Sequence, residues 1–252
     1  MSKNKKQYNI KSIIVDTLNA IQNVQHAEIL EKKGKAQHDD WTDYGVDLYL
    51  FIERLKDLGF ELVLILGKEG SGKSFGIKGL TPGEYVWFNA DKKNPTFARP
   101  ANHLELYGTK VSPGPLMRIP TKYSNIIDDV KAMKKGIDTP EFSIKLDDNP
   151  IAFLIGHTEE YRNAEGTTSQ KLRVLGRMAT KMHVEGGSEY TFYSGVNIVN
   201  GRPVGYLRTA GDGNDTCRTP EGTFDNIRIP NDFSLIVSSI NKANNITPQT
   251  SN

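Results

Sequence analysis

The 252 residues contain one cysteine, Cys217, so an internal disulfide and a cysteine-based metal site are excluded and a reducing compartment is expected. No apolar run reaches membrane-spanning length. The polar, basic stretch from Met1 to Lys11 has no apolar core of the kind a secretory signal needs and reads as a flexible arm. A membrane partner is therefore not expected, and the expected location is the cytoplasm. An excess of one charge is lacking too. Lys and Arg number 32 against 30 Asp and Glu, a formal net charge of +2, so any nucleic-acid surface has to be local. Internal repeats and low-complexity tracts are absent. What remains fits one α/β domain over 1–240, followed by a flexible polar tail at 241–252.

The most informative stretch is Gly67-Lys68-Glu69-Gly70-Ser71-Gly72-Lys73-Ser74, a match to G-x-x-x-x-G-K-S/T. It follows the apolar run Glu61–Leu66 and precedes Phe75, where a helix can start, so it has the strand–loop–helix setting of a phosphate-binding loop. Glycines let successive N–H groups converge on an anion, and the helix N-terminus adds its unpaired donors. Lys73 would reach the β- and γ-phosphates, and the Ser74 hydroxyl would ligate Mg²⁺. The alternative is a glycine-rich turn with a solvated lysine.

Further along, Ser12–Thr17 is a short apolar run leading to Asp16, in the pattern of a strand buried on both faces. An acid at the carboxyl end of such a strand is placed for ligand chemistry, though many strands end in Asp only to begin a turn. Residues 18–33 read as a helix closed by Gly34. A second helix begins at Asp40, with Trp41, Tyr44, Leu48, Ile52 and Leu55 on one stripe. Tyr85–Asn89 and Ile151–Gly156 are further strands, delivering Asp91 and His157 at their carboxyl ends. Five prolines in 92–120 predict an irregular excursion. Ser124 is a candidate cap for a helix ending at Gly136, and 137–150 reads as loop. Residues 158–170 are polar and read as a mobile loop. Arg173, Arg177 and Lys181 follow at helical spacing, either as a phosphate-contacting stripe or as a solvated face. Asn200-Gly201 predicts a C-terminal hairpin between Tyr190–Val199 and 202–210, with Pro203 keeping the second strand at an edge near the turn.

As an ordered set, the phosphate loop (67–74), YVWFNADKKNP (85–95), SIIVDT with the helices after it (12–58), IGHTEEY (155–161) and RTPEGTFDNIRIPNDFSLIV (218–237) resemble the RecA-like P-loop ATPases of bacteriophages, in particular the single-strand-annealing recombination family. The resemblance implies a RecA-like α/β core, a mostly parallel sheet flanked by helices. It further implies ATP and Mg²⁺ as cofactors, single-stranded DNA as a partner, a possible homo-oligomer whose neighbouring subunit supplies an arginine, and the host cytoplasm as location if the gene is a phage's. Gly67, Lys68, Glu69, Gly70, Ser71, Gly72, Lys73, Ser74 and Phe75 would hold the nucleotide, Asp16 would order the metal with Ser74, and Asp91 would polarise the attacking water. His157 would report nucleotide state, and Arg162, Lys171, Arg173 and Arg177 would contact DNA. One departure stands out. The Asp16 block precedes the phosphate loop here, whereas in that family it follows, which leaves strand connectivity open and Asp147 as a poorer substitute for Asp16.

Two other functions share a phosphate loop: a nucleotide-dependent packaging, helicase-loading or assembly factor without annealing activity, and a small-molecule kinase. The kinase would need an arginine-rich lid and an acceptor pocket, neither of which is evident. Guanine specificity is disfavoured, because Asn241-Lys242 lacks the Asp two residues on.

Overall fold

The computed structural model describes residues 5–91, 120–140, 142–162, 166–175 and 184–244. The chain begins with β1 (Lys6–Asp16), whose Ile13, Ile14 and Val15 are fully buried because both faces of the strand are covered. Thr17 then caps α1 (Leu18–Lys33), its side chain accepting from the Ala20 N–H, and Gly34 closes the helix at φ 74°. Next come α2 (His38–Asp57), β2 (Glu61–Gly67) and a 3₁₀ helix over Lys73–Gly79. β3 (Tyr85–Asn89), α3 (Tyr123–Lys135) and β4 (Ile137–Asp138) lead to the long β5 (Phe142–Arg162), and β6 (Thr168–Leu172) folds back on the end of β5. A 3₁₀ turn (Val184–Gly187), β7 (Tyr190–Val199), β8 (Arg202–Arg208), β9 (Arg228–Pro230) and α4 (Phe233–Ala243) complete the described elements.

The sheet runs in the order β3-β1-β5-β2-β7-β8-β9. Its first five strands are parallel, and β8 and β9 are each added antiparallel to the strand before, so the architecture is α/β with a mostly parallel mixed sheet flanked by helices. Alternate residues split the core between two faces. Ile13, Leu64 and Leu154 pack towards the side of α1, α2 and α3, while Ile14, Val63 and Phe153 pack towards the 3₁₀ helix and α4. Register aligns the carboxyl ends of the central strands, with Asp16 opposite Asn89 and Ile155, and Gly67 opposite His157.

Several expectations need correction. The first eleven residues are not simply a flexible arm: from Lys6 they pair with Phe142–Leu146, so much of 137–150 is strand too. Gln37 caps α2 and Asp40 occupies its third position, accepting from the Gln37 N–H; Lys122, not Ser124, precedes α3. Ser74 lies in a short 3₁₀ helix, so the loop is not followed by a long α-helix. The polar stretch after His157, expected as a mobile loop, is an antiparallel ribbon, β5 with β6, and Arg173, where the helical charge spacing begins, follows β6 outside any helix. Arg177 and Lys181 lie outside the described residues. The C-terminal hairpin turns at Asn200-Gly201 as expected, with Pro203 on a part of β8 that has no outer neighbour among the described residues. The last helix runs through Ala243, into the predicted tail.

Candidate active site

The GKEGSGKS loop leaves β2 between its two neighbours, β5 and β7. Gly70 and Gly72 take φ values of 75° and 80°, the left-handed conformation that lets backbone N–H groups turn inward. Gly67 is required by close approach: a Cβ there would stand 2.4 Å from Ser194 Oγ and 2.6 Å from Ser71 Oγ. Those two hydroxyls are hydrogen-bonded at 2.6 Å, tying the loop to β7. From behind, Asn231 Nδ2 donates to the Gly72 carbonyl at 2.6 Å.

Lys73 is only 6% exposed. Its ammonium donates to the carbonyls of Gly67 (3.0 Å) and Lys68 (2.7 Å), and lies 3.1 Å from His157 Nδ1. Burial of an ammonium demands such partners. For Nδ1 to accept from it, the imidazole must be neutral with its proton on Nε2. The residue after Lys73 makes the longest-range link in the site: Ser74 Oγ donates to Asp16 Oδ2 at 2.7 Å, across 58 residues of sequence. Asp16 is itself 6% exposed. The donor set suits Mg²⁺, since a hydroxyl and a carboxylate are hard oxygen ligands, and this ion takes few protein ligands and completes its shell with phosphate and water.

His157 is held in turn by Asn19, whose Oδ1 accepts from the His157 N–H at 2.8 Å and whose Nδ2 donates to the Arg173 carbonyl. A small hollow of about 180 Å³ opens here, lined by Thr17, Asn19, Glu69, Asp91, His157 and Arg173 among others. Asp91 follows β3 and its N–H points to the Asp16 carbonyl at 3.4 Å. The structure thus gathers Asp16, Asp91, His157, Lys73 and Ser74 at one sheet edge. Asp147 lies elsewhere: it accepts from Asn9 on the amino half of β5, roughly 25 Å of strand from the loop.

Of the basic residues expected after His157, Arg162, Lys171 and Arg173 lie among the described residues. Arg162 sits exposed on the ribbon, opposite Thr168. Lys171 pairs with Glu159 at 3.3 Å and lies over the Tyr161 ring, while Arg173 lines the small hollow. The neighbouring Glu160 pairs with Lys68 of the loop at 2.5 Å. A second, larger cleft of about 470 Å³ lies on the opposite side of the loop, between the β5–β6 ribbon and β7–β8. Burial pushes the Tyr193 phenol up to about 12, so it stays protonated and donates to the Gln170 carbonyl beneath this cleft.

Sequence reasoning missed Asn19, Ser194, Asn231 and the Lys68–Glu160 pair. Asn19, Ser194 and Asn231 are lone polar residues that no spacing marks, and the loop motif that contains Lys68 says nothing of a partner on the ribbon.

No protein-family model, curated protein or solved structure matches this chain. Among the described residues no helix is long and apolar enough to cross a membrane.

Proposed function

We propose that this chain is a Mg²⁺-dependent ATP-binding and hydrolysing protein with a RecA-like P-loop core, acting on single-stranded DNA in phage recombination or replication. One observation carries the nucleotide part: Asp16 Oδ2 lies 2.7 Å from the hydroxyl of Ser74, although the two are 58 residues apart. A glycine-rich turn with no ligand has no need to bring a buried carboxylate to that serine. In this scheme the glycine N–H groups and Lys73 bind the phosphates, Lys73 giving up its carbonyl partners for the β- and γ-oxygens. Asp91, in the small hollow beside His157, accepts a proton from or orients the attacking water. His157 contacts Lys73 through its side chain and begins the ribbon through its backbone, so a shift of Lys73 towards phosphate is felt at Thr158. A bound Mg²⁺ would supply neutralisation of the phosphate charge.

The DNA part rests on the resemblance and on the position of the ribbon. A second reading, a nucleotide-dependent packaging, loading or assembly factor, gains from the pairing of Lys171 with Glu159 and Lys68 with Glu160, which neutralises basic charge where DNA would lie. Nucleotide hydrolysis measured with and without single-stranded oligonucleotide separates them. Stimulation that falls with rising salt supports the DNA-linked ATPase. Hydrolysis indifferent to DNA supports the assembly factor. Lys73→Ala is expected to abolish turnover and weaken nucleotide binding while the melting temperature changes little, and full turnover in that variant would sink both readings.

A further inference from the structure

Two hollows open onto the glycine loop, and they differ in size and chemistry. The smaller, about 180 Å³, holds Glu69, Asp91 and His157 on the side where Asp16 meets Ser74. It is below the roughly 300 Å³ at which ligand pockets begin. The larger, about 470 Å³, is floored by Gly67, Lys68 and Ser71 of the loop itself and walled by the two ribbons. We propose that this larger cleft holds the base and sugar of a nucleoside triphosphate; the proposal rests on the loop taking the phosphates.

Direction comes first. With the metal donors and the small acidic hollow on one side, the terminal phosphate is directed there, and the nucleoside must leave the loop on the other. Charge points the same way. Arg208 reaches into the larger cleft's wall but is engaged by Asp212 at 3.0 Å and by Asp215. A site for further phosphate would keep that guanidinium unpaired, whereas a base and a sugar are uncharged and need hydrogen-bonding edges. Those edges are present in the amides of Gln170 and Asn214 and the hydroxyls of Thr168 and Ser194. At the rim the Arg228 guanidinium lies 4.8 Å from the Tyr206 ring centroid. The wall is also preformed. Tyr206 packs so tightly on Gly195 that a Cβ there would lie 2.5 Å from the ring, and the Ser71–Ser194 bond fixes the floor to the wall. A preformed cleft loses little freedom on binding.

The test compares MgATP with inorganic tripolyphosphate, which carries the phosphates and no nucleoside. Binding of both is measured by calorimetry to the wild type, Thr168→Trp, Arg228→Ala and Lys73→Ala. Thr168 and Arg228 are exposed, so neither change threatens the core. The indole of Thr168→Trp is expected to fill the cleft and weaken ATP by about tenfold or more, with tripolyphosphate kept within about twofold, while Lys73→Ala weakens both. If Thr168→Trp and Arg228→Ala both leave ATP affinity unchanged while Lys73→Ala weakens both ligands, the nucleoside lies elsewhere and the proposal falls, though the phosphate loop stands. A wild type that binds neither ligand overturns the phosphate-loop reading and this proposal together.

Discussion

Gly76, two residues after the loop, has no room for a side chain, and the consequence can be worked out from distances. A methyl placed there would put its carbon 2.4 and 2.5 Å from two ring atoms of Phe233 and 2.6 Å from Asn231 Oδ1. Carbon pairs prefer about 3.5–4.0 Å, so roughly 1 Å has to be found. The ring cannot recede, because Phe233 is fully buried and stacked on Phe153 with centroids 4.4 Å apart and planes 8° from parallel. Asn231 cannot turn without releasing the Gly72 carbonyl. Overpacking of this kind costs about 1–3 kcal/mol. Against it stands the preference of a helical position for Ala over Gly, at most about 1 kcal/mol. Gly76→Ala is therefore expected to destabilise by about 1–2 kcal/mol, a fall of about 2–8 °C in Tm for a chain of this size. Phe233→Leu alone should also destabilise, by leaving space beside Phe153. Combined, the two should partly cancel, with a coupling of about 0.5–2 kcal/mol in a urea-unfolding cycle. A single variant within about 0.5 kcal/mol of wild type, or strict additivity, would refute the reasoning.

Asp16→Asn keeps a polar partner for Ser74 but removes the carboxylate charge, so turnover should fall by more than nucleotide affinity; equal losses in kcat and in the dissociation constant would count against a metal-ordering role. Glu185, in the 3₁₀ turn Val184–Gly187, is raised above the ordinary carboxylate range chiefly by burial, against the lowering effect of the Leu172 N–H bond it accepts. The folded protein therefore binds this proton more tightly than the unfolded chain, so the contribution is present below about pH 4.3 and is lost as pH rises through the raised value. Glu185→Gln should flatten the decline of Tm with pH above that point, and parallel Tm–pH curves for the two proteins would exclude the effect.

What the sequence disclosed depended on how much of each segment the core dictates. Ile13–Val15, Leu62–Leu66 and Ile151–Ile155 are buried on both faces, so they read as unbroken apolar runs. The Asn200-Gly201 turn was legible because its backbone requires those residues: Asn200 has φ 51° and Gly201 φ 73°. The amino half of β1 and the stretch from Phe142 to Leu146 carry too few buried residues to show a strand in sequence: Ile10 alone in the first, Ile144 and Leu146 in the second, among charged and polar neighbours. The ribbon after His157 was missed for a stronger reason. It leaves the core, so its polar residues carry no pattern, and pairing with β6 makes it a strand. At the site, the loop announced itself through glycine spacing. The Asp16 placement came from the resemblance, and Asn19, with two hydrogen bonds, and Asn231, with one to the Gly72 carbonyl, leave no trace in sequence.

The sheet order also governs how this protein can be made. Among the described residues, β2, which carries the loop, is bonded to β5 and β7, both encoded well after it. A ribosome adding about 5–20 residues per second needs on the order of ten seconds to travel from Gly67 to Gly156. Through that interval β1 can zip onto β3, but Leu62–Leu66 waits with both edges unclaimed, a run that would pair readily with a neighbouring nascent chain. A fragment stopping before residue 150 would contain every residue of the glycine loop and still have no strand to hold it. The motif is local in the gene, but its anchorage arrives only with the middle of the polypeptide.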